Sequence, residues 1–209
     1  MDARGNLYIG AGPQARVSKF DRQGHFLLEW GSRGNGAGQF GGGTLHLAVV
    51  PDGMVYVCDK SSHQVLQFDV EGRCLTEWGG NGAGEGRFER PESIAVDSLG
   101  NVYVVDGGND RVQKFDAGAK FLLQWGGRGQ GDGQFAAPRG IAVDLDDYVY
   151  VCGADDRVQK FGADGQFIAK WGTLGKKQGD LNLPQAIAVD PVGQVYVLES
   201  NNRRVQYFA

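Results

Sequence analysis

The stretch "NVYVVDGGNDRVQKFDAGAKFLLQWG", residues 101–126, contains three short apolar segments separated by turn residues. The segments are VYVVD (Val102–Asp106), RVQKF (Arg111–Phe115) and FLLQWG (Phe121–Gly126). Each is five or six residues long and rich in Val, Tyr, Phe and Trp, which suit a packed, pleated surface. The connections between them are short, so we predict three neighbouring antiparallel strands, called b, c and d in chain order.

A fourth strand, called a, is predicted just before this stretch. It reads "SIAVD" (residues 93–97) and is followed by "DSLGN" (residues 97–101). An Asp at the first position and a Gly at the fourth suit a type I turn that closes a hairpin. One structural unit is therefore predicted to hold four strands.

This unit repeats along the chain. Tyrosines recur every 46–48 residues, and tryptophans keep the same spacing, at Tyr8, Tyr56, Tyr103, Tyr150 and Tyr196 and at Trp30, Trp78, Trp125 and Trp171. The chain of 209 residues is read as a single domain, 1–209, of five units. Their approximate bounds are 1–40, 41–88, 89–135, 136–183 and 184–209. The first unit has no strand a and the last has no strand d.

Strand b decides how the units pack. It is apolar at successive positions from Val102 to Val105, which indicates burial on both faces of the sheet. Four strands per unit and a period of about 40–50 residues are typical of a β-propeller, whose blades stack face to face. We therefore predict an all-β propeller segment with three complete four-stranded blades and two three-stranded end units. A two-sheet sandwich would not need the units to be alike.

One unit resembles a known repeat. Residues 138–172 read "PRGIAVDLDDYVYVCGADDRVQKFGADGQFIAKWG" and are similar to an NHL repeat in their Ile-Ala-Val-Asp, Val-Tyr-Val, Arg-Val-Gln-Lys-Phe and Trp-Gly elements. The resemblance implies a six-bladed propeller, of which this chain would be a segment. The alternative is a five-bladed ring with two thin blades. An open arc would expose two blade faces and favour self-association.

Composition indicates a globular chain. The hydrophobic content is 41%, the charged content 22% and the net charge −4, so no basic field draws the chain to nucleic acid or to an anionic membrane. The longest apolar runs are strand-sized, and no membrane span is predicted. Three widely spaced cysteines give neither a disulfide framework nor a metal motif and are read as small buried hydrophobes. Nothing in the sequence assigns a compartment.

The glycine-rich stretch "WGGRGQGDGQF" (residues 125–135) has counterparts of equal length at residues 30–40, 78–88 and 171–181. A phosphate loop would occur once and would open a helix, and a calcium repeat would keep a regular Asp. We interpret these stretches as connectors that lead from strand d to the next strand a, with glycines at positive φ. Trp125 and Phe135 are expected to anchor the two ends of their connector.

The b–c loops carry charged residues at matching positions. Asp106 with Arg111, and Glu199 with Arg204, lie at positions that a hairpin places opposite each other. We expect exposed ion pairs that reinforce the hairpins, each contributing at most about 1 kcal/mol. A charged rim for a ligand is the alternative.

No catalytic motif occurs in the chain. Some similar propellers are metal-dependent lyases whose sites need histidines on several inner strands, and this chain offers only His46 there. His25 and His63 are predicted to lie on opposite faces, so the three histidines are not expected to converge on a zinc. We predict a non-catalytic chain with no metal and no cofactor, and keep a metal-dependent lyase or hydrolase as the alternative.

Some NHL domains resemble RNA-binding platforms, but the loops here mix both charges and hold few aromatics, so RNA ranks below a protein partner. The predicted function is a rigid scaffold that binds a protein through the d–a and b–c loops, since loops carry specificity on a repeat framework. The candidate contact residues are His46, His63, Arg128, Asp132, Lys176, Lys177, Arg203 and Arg204.

Overall fold

The computed structural model describes residues 1–209 and contains eighteen β-strands in five sheets. Two single-turn 3-10 helices, Gly12–Gln14 and Gly107–Asn109, lie in b–c loops. The strands of the five sheets, in chain order, are β1 Leu7–Ala11, β2 Arg16–Phe20 and β3 Phe26–Trp30; β4 Leu45–Val49, β5 Val55–Asp59, β6 Gln64–Phe68 and β7 Cys74–Gly79; β8 Pro91–Val96, β9 Val102–Asp106, β10 Arg111–Phe115 and β11 Phe121–Gly126; β12 Pro138–Val143, β13 Val149–Gly153, β14 Val158–Phe161 and β15 Phe167–Trp171; and β16 Pro184–Val189, β17 Val195–Glu199 and β18 Arg204–Phe208.

Each sheet is one blade of an all-β propeller, numbered 1 to 5 in chain order. Neighbouring strands in the chain are neighbours in the sheet. Paired strands, such as β10 with β9 and β10 with β11, are antiparallel. The second, third and fourth blades have four strands, and the first and last have three, as predicted. The bounds of strands b and d in the third blade agree with the sequence prediction to the residue.

The chain divides into two compact units, Met1–Ile94 and Ala95–Ala209. In the first unit one core cluster joins residues of blades 1 and 2, including Val17, Trp30, Val55, Val57, Leu66 and Phe68. In the second unit two clusters lie between successive blades. One contains Tyr103, Val105, Val149, Val151 and Phe161, and the other contains Tyr150, Cys152, Val158, Val195 and Val197.

Strand b is buried on both faces, as its continuous apolar run predicts. Val102, Tyr103, Val104 and Val105 are all fully buried, because the strand is central in its own sheet and covered on both sides. The outer strand β11 instead alternates between half-buried and exposed residues. Burial therefore falls from the middle of a blade to its outer edge.

The a–b turn is held by one aspartate. In the third blade the Asp97 carboxylate accepts hydrogen bonds from the backbone N–H groups of Leu99 and Asn101 and from the Tyr103 hydroxyl, at 2.8–3.0 Å. Burial tends to raise the pKa of Asp97, but these hydrogen bonds and the nearby Lys114 charge lower it below its ordinary value. Asp2, Asp144 and Asp190 hold the corresponding turns.

Cys58 and Cys152 are buried and Cys74 is half-buried, and all three are free thiols. Burial raises the pKa of the Cys152 thiol to about 12, so it stays protonated and packs as a small hydrophobe. None of the helices has the length and apolar character that crossing a bilayer requires.

Candidate functional site

The third connector, residues 125–135, is a closed loop with its own hydrogen bonds. Gly129 N–H donates to the Phe135 carbonyl at 2.9 Å, and Phe135 N–H donates to the Gly127 carbonyl at 2.9 Å. At the tip, Gln134 N–H donates to the Gly131 carbonyl, and the Gln134 side chain accepts from Gly131 N–H at 3.0 Å. The connector is therefore a structured element rather than a flexible linker.

The other three connectors have the same backbone hydrogen bonds. Connector 1 (residues 30–40), connector 2 (78–88) and connector 4 (171–181) each close with the same pair of backbone hydrogen bonds and with a parallel bridge seven residues apart. In connectors 1 and 4 the tip side chains of Gln39 and Asp180 accept at 2.9 and 3.0 Å from N–H groups three residues earlier. Connector 2 has Arg87 at this position, which donates to the Gly79 carbonyl at 2.7 Å. Connector 4 keeps this backbone with fewer glycines.

Positive φ explains one glycine that all four connectors share. Gly38, Gly86, Gly133 and Gly179 have φ of 72°, 69°, 75° and 87°. This left-handed region costs an L-residue about 1–2 kcal/mol, which glycine avoids. The prediction of glycines at positive φ is confirmed.

Aromatic side chains anchor both ends of connector 3 in the core. The rings of Trp125 and Phe135 each lie 5.7 Å, centroid to centroid, from the Phe161 ring of the next blade. Phe135 is buried and Trp125 is half-buried. The expected anchoring is confirmed, and the connector tip is fixed relative to the blade behind it.

Two polar residues of β14 and its preceding loop hold connector 3 from the next blade. Arg157 donates to the carbonyl oxygens of Gln130 at 2.7 Å and Gln134 at 2.8 Å. Gln159 donates to the Gln134 carbonyl at 2.7 Å and accepts from Gly133 N–H at 2.9 Å. We call this pair of side chains an Arg–Gln clamp.

A second clamp holds connector 4. Arg204 donates to the carbonyls of Lys176, Lys177 and Asp180 at 2.8–2.9 Å. Gln206 donates to the Asp180 carbonyl at 2.7 Å and accepts from Gly179 N–H at 3.1 Å. The Arg204 guanidinium, predicted as a contact for a partner, is thus engaged with its own chain.

The predicted hairpin ion pairs form, but they are not the exposed pairs we expected. Arg111 Nε lies 2.8 Å from Asp106 Oδ2, and Arg204 Nε lies 2.7 Å from Glu199 Oε1. Both acids are fully buried, because the blade and the adjacent loops cover the end of strand b. Removing one partner of a buried pair is costly, so the small contribution expected of a surface pair does not apply.

Connector 1 is packed without an Arg–Gln clamp. The residue of blade 2 that corresponds to Gln159 is Leu66, which is fully buried in the apolar cluster. The Gly38 N–H, which corresponds to that of Gly133, lies beside the thiol of Cys74. Burial raises the pKa of Cys74, so the thiol stays neutral, and it donates to the Thr76 carbonyl.

His63 occupies a repeated structural position. It has a φ of 58°, and its Nδ1 accepts from Arg90 N–H at 3.0 Å. Asp110 and Asp156 have the same backbone conformation and accept from backbone N–H groups 27 residues later, at 2.7 and 2.6 Å. His63 is therefore a variant of an aspartate that braces the end of a connector, and sequence inspection alone missed this role.

The remaining predicted contact residues differ in exposure and in pairing. Asp132 is exposed and forms an ion pair with Lys170. Arg128, Lys176, Lys177 and Arg203 are exposed side chains around the connectors and the last b–c loop.

A groove of about 700 Å³ lies in the second unit between connectors 3 and 4. Trp171 and Leu174 supply apolar surface, and Leu174 is 68% exposed. Burial raises the pKa of Asp155 in the groove wall, although Arg157, 2.6 Å away, opposes this rise. The other lining residues are Gln130, Ala154, Asp156, Arg157, Lys170, Gly172 and Thr173.

His46 lies apart from this groove, on β4 in the first unit. It is half-buried, and burial lowers its pKa, opposed by the Glu92 charge and reinforced by Lys60. Lys60 and Glu92 form an ion pair at 2.7 Å. No group of three or more His, Cys, Asp or Glu side chains is arranged to hold a metal ion.

Comparison with known families matches residues 88–115 to the NHL repeat. The resemblance to NHL-repeat propellers is confirmed. The matched residues run from the end of connector 2 through β10 and include strands a, b and c of the third blade. No curated protein matches the chain in sequence.

Solved structures share the fold at low sequence identity. A streptogramin B lyase has a TM-score of 0.68 and 13% identity, over 98% of this chain and 65% of the lyase chain. An inactive variant of virginiamycin B lyase from Staphylococcus aureus with quinupristin has a TM-score of 0.68 and 13% identity, over 98% and 66%. A protein from Bacteroides thetaiotaomicron VPI-5482 has a TM-score of 0.71 and 18% identity, over 98% and 56%. The chain thus spans slightly under two thirds of the lyases' length.

Proposed function

We propose that this propeller is a non-catalytic scaffold that binds a protein partner through connectors 3 and 4 of its second unit. One observation carries the proposal: the connector backbone is held constant while its exposed side chains vary. Arg128 and Asp132 in connector 3 correspond to Leu174 and Gln178 in connector 4. A fixed frame with variable side chains is suited to recognition, because the binding residues are already ordered before the partner arrives.

The groove between these connectors fits a protein segment better than a small polar substrate. Its charged groups already have partners within the chain: Lys170 pairs with Asp132, Arg157 pairs with Asp155, and Asp156 accepts a hydrogen bond from the Leu183 N–H. The exposed Leu174 offers an apolar contact of the kind that buried interface centres use. The partner is therefore expected to place an apolar side chain against Leu174, while Lys176 and Lys177 favour acidic residues around it.

Site-specific photo-crosslinking followed by affinity measurement tests this function. A photoreactive residue at position 174 or 178 should capture one protein, which the same residue at Leu122 on the outer strand β11 should not capture. With that protein purified, Leu174→Asp and the double change Lys176→Glu, Lys177→Glu should each weaken binding at least tenfold. Leu122→Asp, also an exposed leucine, is the matched control. Unchanged affinity in both connector variants would contradict the proposal.

The salt dependence of binding distinguishes an RNA ligand from a protein partner. Affinity for RNA falls steeply as salt rises, because bound phosphates release counterions. A single-stranded RNA that binds at low salt, and loses that binding with Lys176→Glu, would favour RNA over a protein partner.

An enzyme is the second candidate, favoured by the environment of His46. Its lowered pKa and its Lys60–Glu92 neighbours give a neutral imidazole beside a charged pair, which is a usable arrangement for a general base. The lyases that share the fold make this candidate worth testing. Lyase or hydrolase activity that His46→Ala abolishes while the protein stays folded would replace the scaffold proposal.

A six-bladed propeller is the finer architecture we propose for these repeats. The match of residues 88–115 to the NHL repeat supports it.

A further inference from the structure

The a–b turns of the second unit carry exposed aliphatic side chains. Leu99 of blade 3 is 80% exposed, Leu145 of blade 4 is 73% exposed and Val192 of blade 5 is 81% exposed. Blade 4 packs against both blade 3 and blade 5, so the exposure of Leu145 is a property of its turn. Three consecutive turns therefore present a large aliphatic side chain to solvent.

The fold does not need aliphatic residues at these turns. All five a–b turns close with the same backbone hydrogen bond, from the N–H of the fourth residue to the carbonyl of the first, at 2.9–3.1 Å. In blade 1 the two middle positions of the turn are Ala3 and Arg4, and in blade 2 they are Pro51 and Asp52. The aliphatic side chains of the second unit are thus not required for the turn, and grouped exposed apolar residues mark an interaction site.

The three aliphatic side chains border one surface. Ser98, next to Leu99, donates from its backbone N–H to Asp147 Oδ1 at 2.8 Å and from its hydroxyl to Asp147 Oδ2 at 2.7 Å. These two hydrogen bonds join the turn of blade 3 to the turn of blade 4. A groove of about 290 Å³, lined in part by Leu145 and Val192, lies between the turns of blades 4 and 5.

The contact between Ser98 and Asp147 holds this surface in place. Asp147 has a φ of 62°, at a position where the other a–b turns have glycines with φ of 80–91°, namely Gly5, Gly53, Gly100 and Gly193. The left-handed region costs an L-residue about 1–2 kcal/mol, which the two hydrogen bonds to Ser98 offset. The turns are therefore ordered before any contact, which lowers the entropy cost of binding.

Acidic residues surround the aliphatic side chains. We call the a–b turns 97–101, 144–148 and 190–194, together with the c–d turns 116–120 and 162–166 at the same end of the strands, the turn face. It contains seven aspartates, one lysine and no arginine. Asp146 and Asp164 are exposed, and neither forms an ion pair. The negative charge reaches the Tyr103 hydroxyl, whose pKa is raised by burial and then by the charges of Asp97, Asp147 and Asp164.

The two lysines that reach the turn face from the c strands are already engaged. Lys114 lies 3.4 Å from an Asp97 carboxylate oxygen and donates to the Ala163 carbonyl at 3.0 Å. Lys160 lies over the Tyr148 ring, 3.9 Å from its centroid. Neither lysine neutralises the exposed aspartates, so the turn face favours a cationic ligand.

We propose that the turn face binds a segment of a second protein in which basic residues flank large aliphatic side chains. The basic residues complement the aspartates that have no cationic partner. The aliphatic side chains contact Leu145 and Val192 at the groove between the turns. Connectors 3 and 4 lie at the opposite end of the strands, so this site is separate from the one proposed for the connectors.

Fluorescence anisotropy with a labelled synthetic peptide tests this site. The probe is an amphipathic peptide of leucine and lysine, compared with the same peptide in which glutamate replaces every lysine. The natural chain should bind the lysine peptide at least tenfold more tightly than the glutamate peptide. Leu145→Ser and Asp146→Lys should each weaken binding of the lysine peptide about fivefold.

The matched controls make the same changes at exposed residues elsewhere. Leu122→Ser on β11 controls for the loss of a leucine, and Glu85→Lys in connector 2 controls for the reversal of a charge. Both should bind the lysine peptide like the natural chain. All four variants should unfold at the same temperature as the natural chain, because each changes an exposed side chain.

Three results would overturn the proposal. The first is a lack of binding of the lysine peptide, or equal losses in the turn-face variants and their controls. The second is self-association of the natural chain that Leu145→Ser abolishes, because the occupant would then be a second copy. The third is loss of peptide binding in Leu174→Asp, which would place the peptide at the connectors. Unchanged binding in Leu174→Asp keeps this test independent of the partner proposed for the connectors.

Discussion

Connectors 1 and 4 have the same loop backbone but are held by different chemistry. In connector 4, Arg204 and Gln206 satisfy three carbonyl oxygens and the Gly179 N–H through charged and amide groups. Connector 1 faces Leu66, and its Gly38 N–H lies beside the thiol of Cys74 in place of an amide oxygen. A thiol is a weak acceptor compared with an amide oxygen.

This difference shows that loop shape and loop fastening are separate features of the repeat. Shape comes from glycines at positive φ and from the hydrogen bonds inside each connector. Fastening comes from the following blade and varies along the chain. Connectors 3 and 4, which we propose for partner binding, are both fastened by Arg–Gln clamps, which suits a surface that must be rigid before contact.

The largest expected effect comes from removing the arginine of a clamp. Arg157→Met leaves the largely buried Asp155 without its partner, leaves the Gln130 carbonyl without this donor and leaves the Gln134 carbonyl with Gln159 alone, so the free energy of unfolding should fall by about 3 kcal/mol. Urea denaturation at pH 7 measures it. Gln64→Met, at the corresponding position of blade 2, should cost under about 1 kcal/mol. Equal losses would mean that the clamp adds nothing.

The same variant has a predicted pH dependence. Burial raises the pKa of Asp155, and without Arg157 only a hydrogen bond from its own backbone opposes that rise. An acid whose pKa is higher in the folded state stabilises the fold below its unfolded pKa and loses that contribution as pH rises through the folded value. The penalty of Arg157→Met should therefore be smaller at pH 4 than at pH 7.

Most of the fold could be predicted from sequence, because the repeat shows itself in residues that every unit shares. The bounds of β9 follow from the run Val102–Asp106, and the connectors follow from their glycines. The clamps and the His63 brace were not found, since they join residues about 27 positions apart in different blades. The signal was present in the Arg and Gln of "RVQKF", polar residues at fixed places in a buried strand. The candidate contacts could not be ranked, because exposure at loop tips depends on packing.

The next largest loss of stability is expected from exchanging the side chains of Gln159 and Leu66, which occupy corresponding positions next to connectors 3 and 1. Gln159→Leu copies Leu66 and leaves Gly133 N–H without its 2.9 Å acceptor, at a cost of about 1–3 kcal/mol. Thermal unfolding measures the loss. Glutamine at position 66 is the reciprocal change, and it should also destabilise, because the site around Leu66 is apolar. A gain in stability from Leu66→Gln would mean that connector 1 already has partners for an amide.

A smaller loss of stability is expected from replacing Gly133, the positive-φ glycine that all four connectors share. The methyl group added by Gly133→Ala has room, because its nearest neighbouring atom, in Phe161, is 4.0 Å away. The backbone, however, has a φ of 75° at this position. The strain should cost about 1–2 kcal/mol. Gly84→Ala, at a connector position without positive φ and with open surroundings, is the control and should be close to neutral. Matching losses at both sites would point to loop entropy rather than backbone strain.

The smallest effect is expected at the brace. His63→Ala removes one acceptor from the Arg90 N–H and should cost about 1 kcal/mol, while His63→Asp, which copies Asp110 and Asp156, should restore most of it. Chemical denaturation of the three proteins compares them directly. If aspartate is as damaging as alanine at position 63, the histidine ring has a role beyond bracing.

The central claim is that the glycine-rich connectors are rigid frames, and native-state hydrogen exchange of single amides tests it most directly. The amides of Gly133 and Phe135 should exchange at least a hundredfold more slowly than in an unstructured chain, and Gln159→Leu should remove much of the protection at Gly133. Gly38, which has a thiol beside its N–H in place of the amide oxygen of Gln159, should be less protected than Gly133. Exchange of both Gly133 and Phe135 at the rate of an unstructured chain would contradict the account.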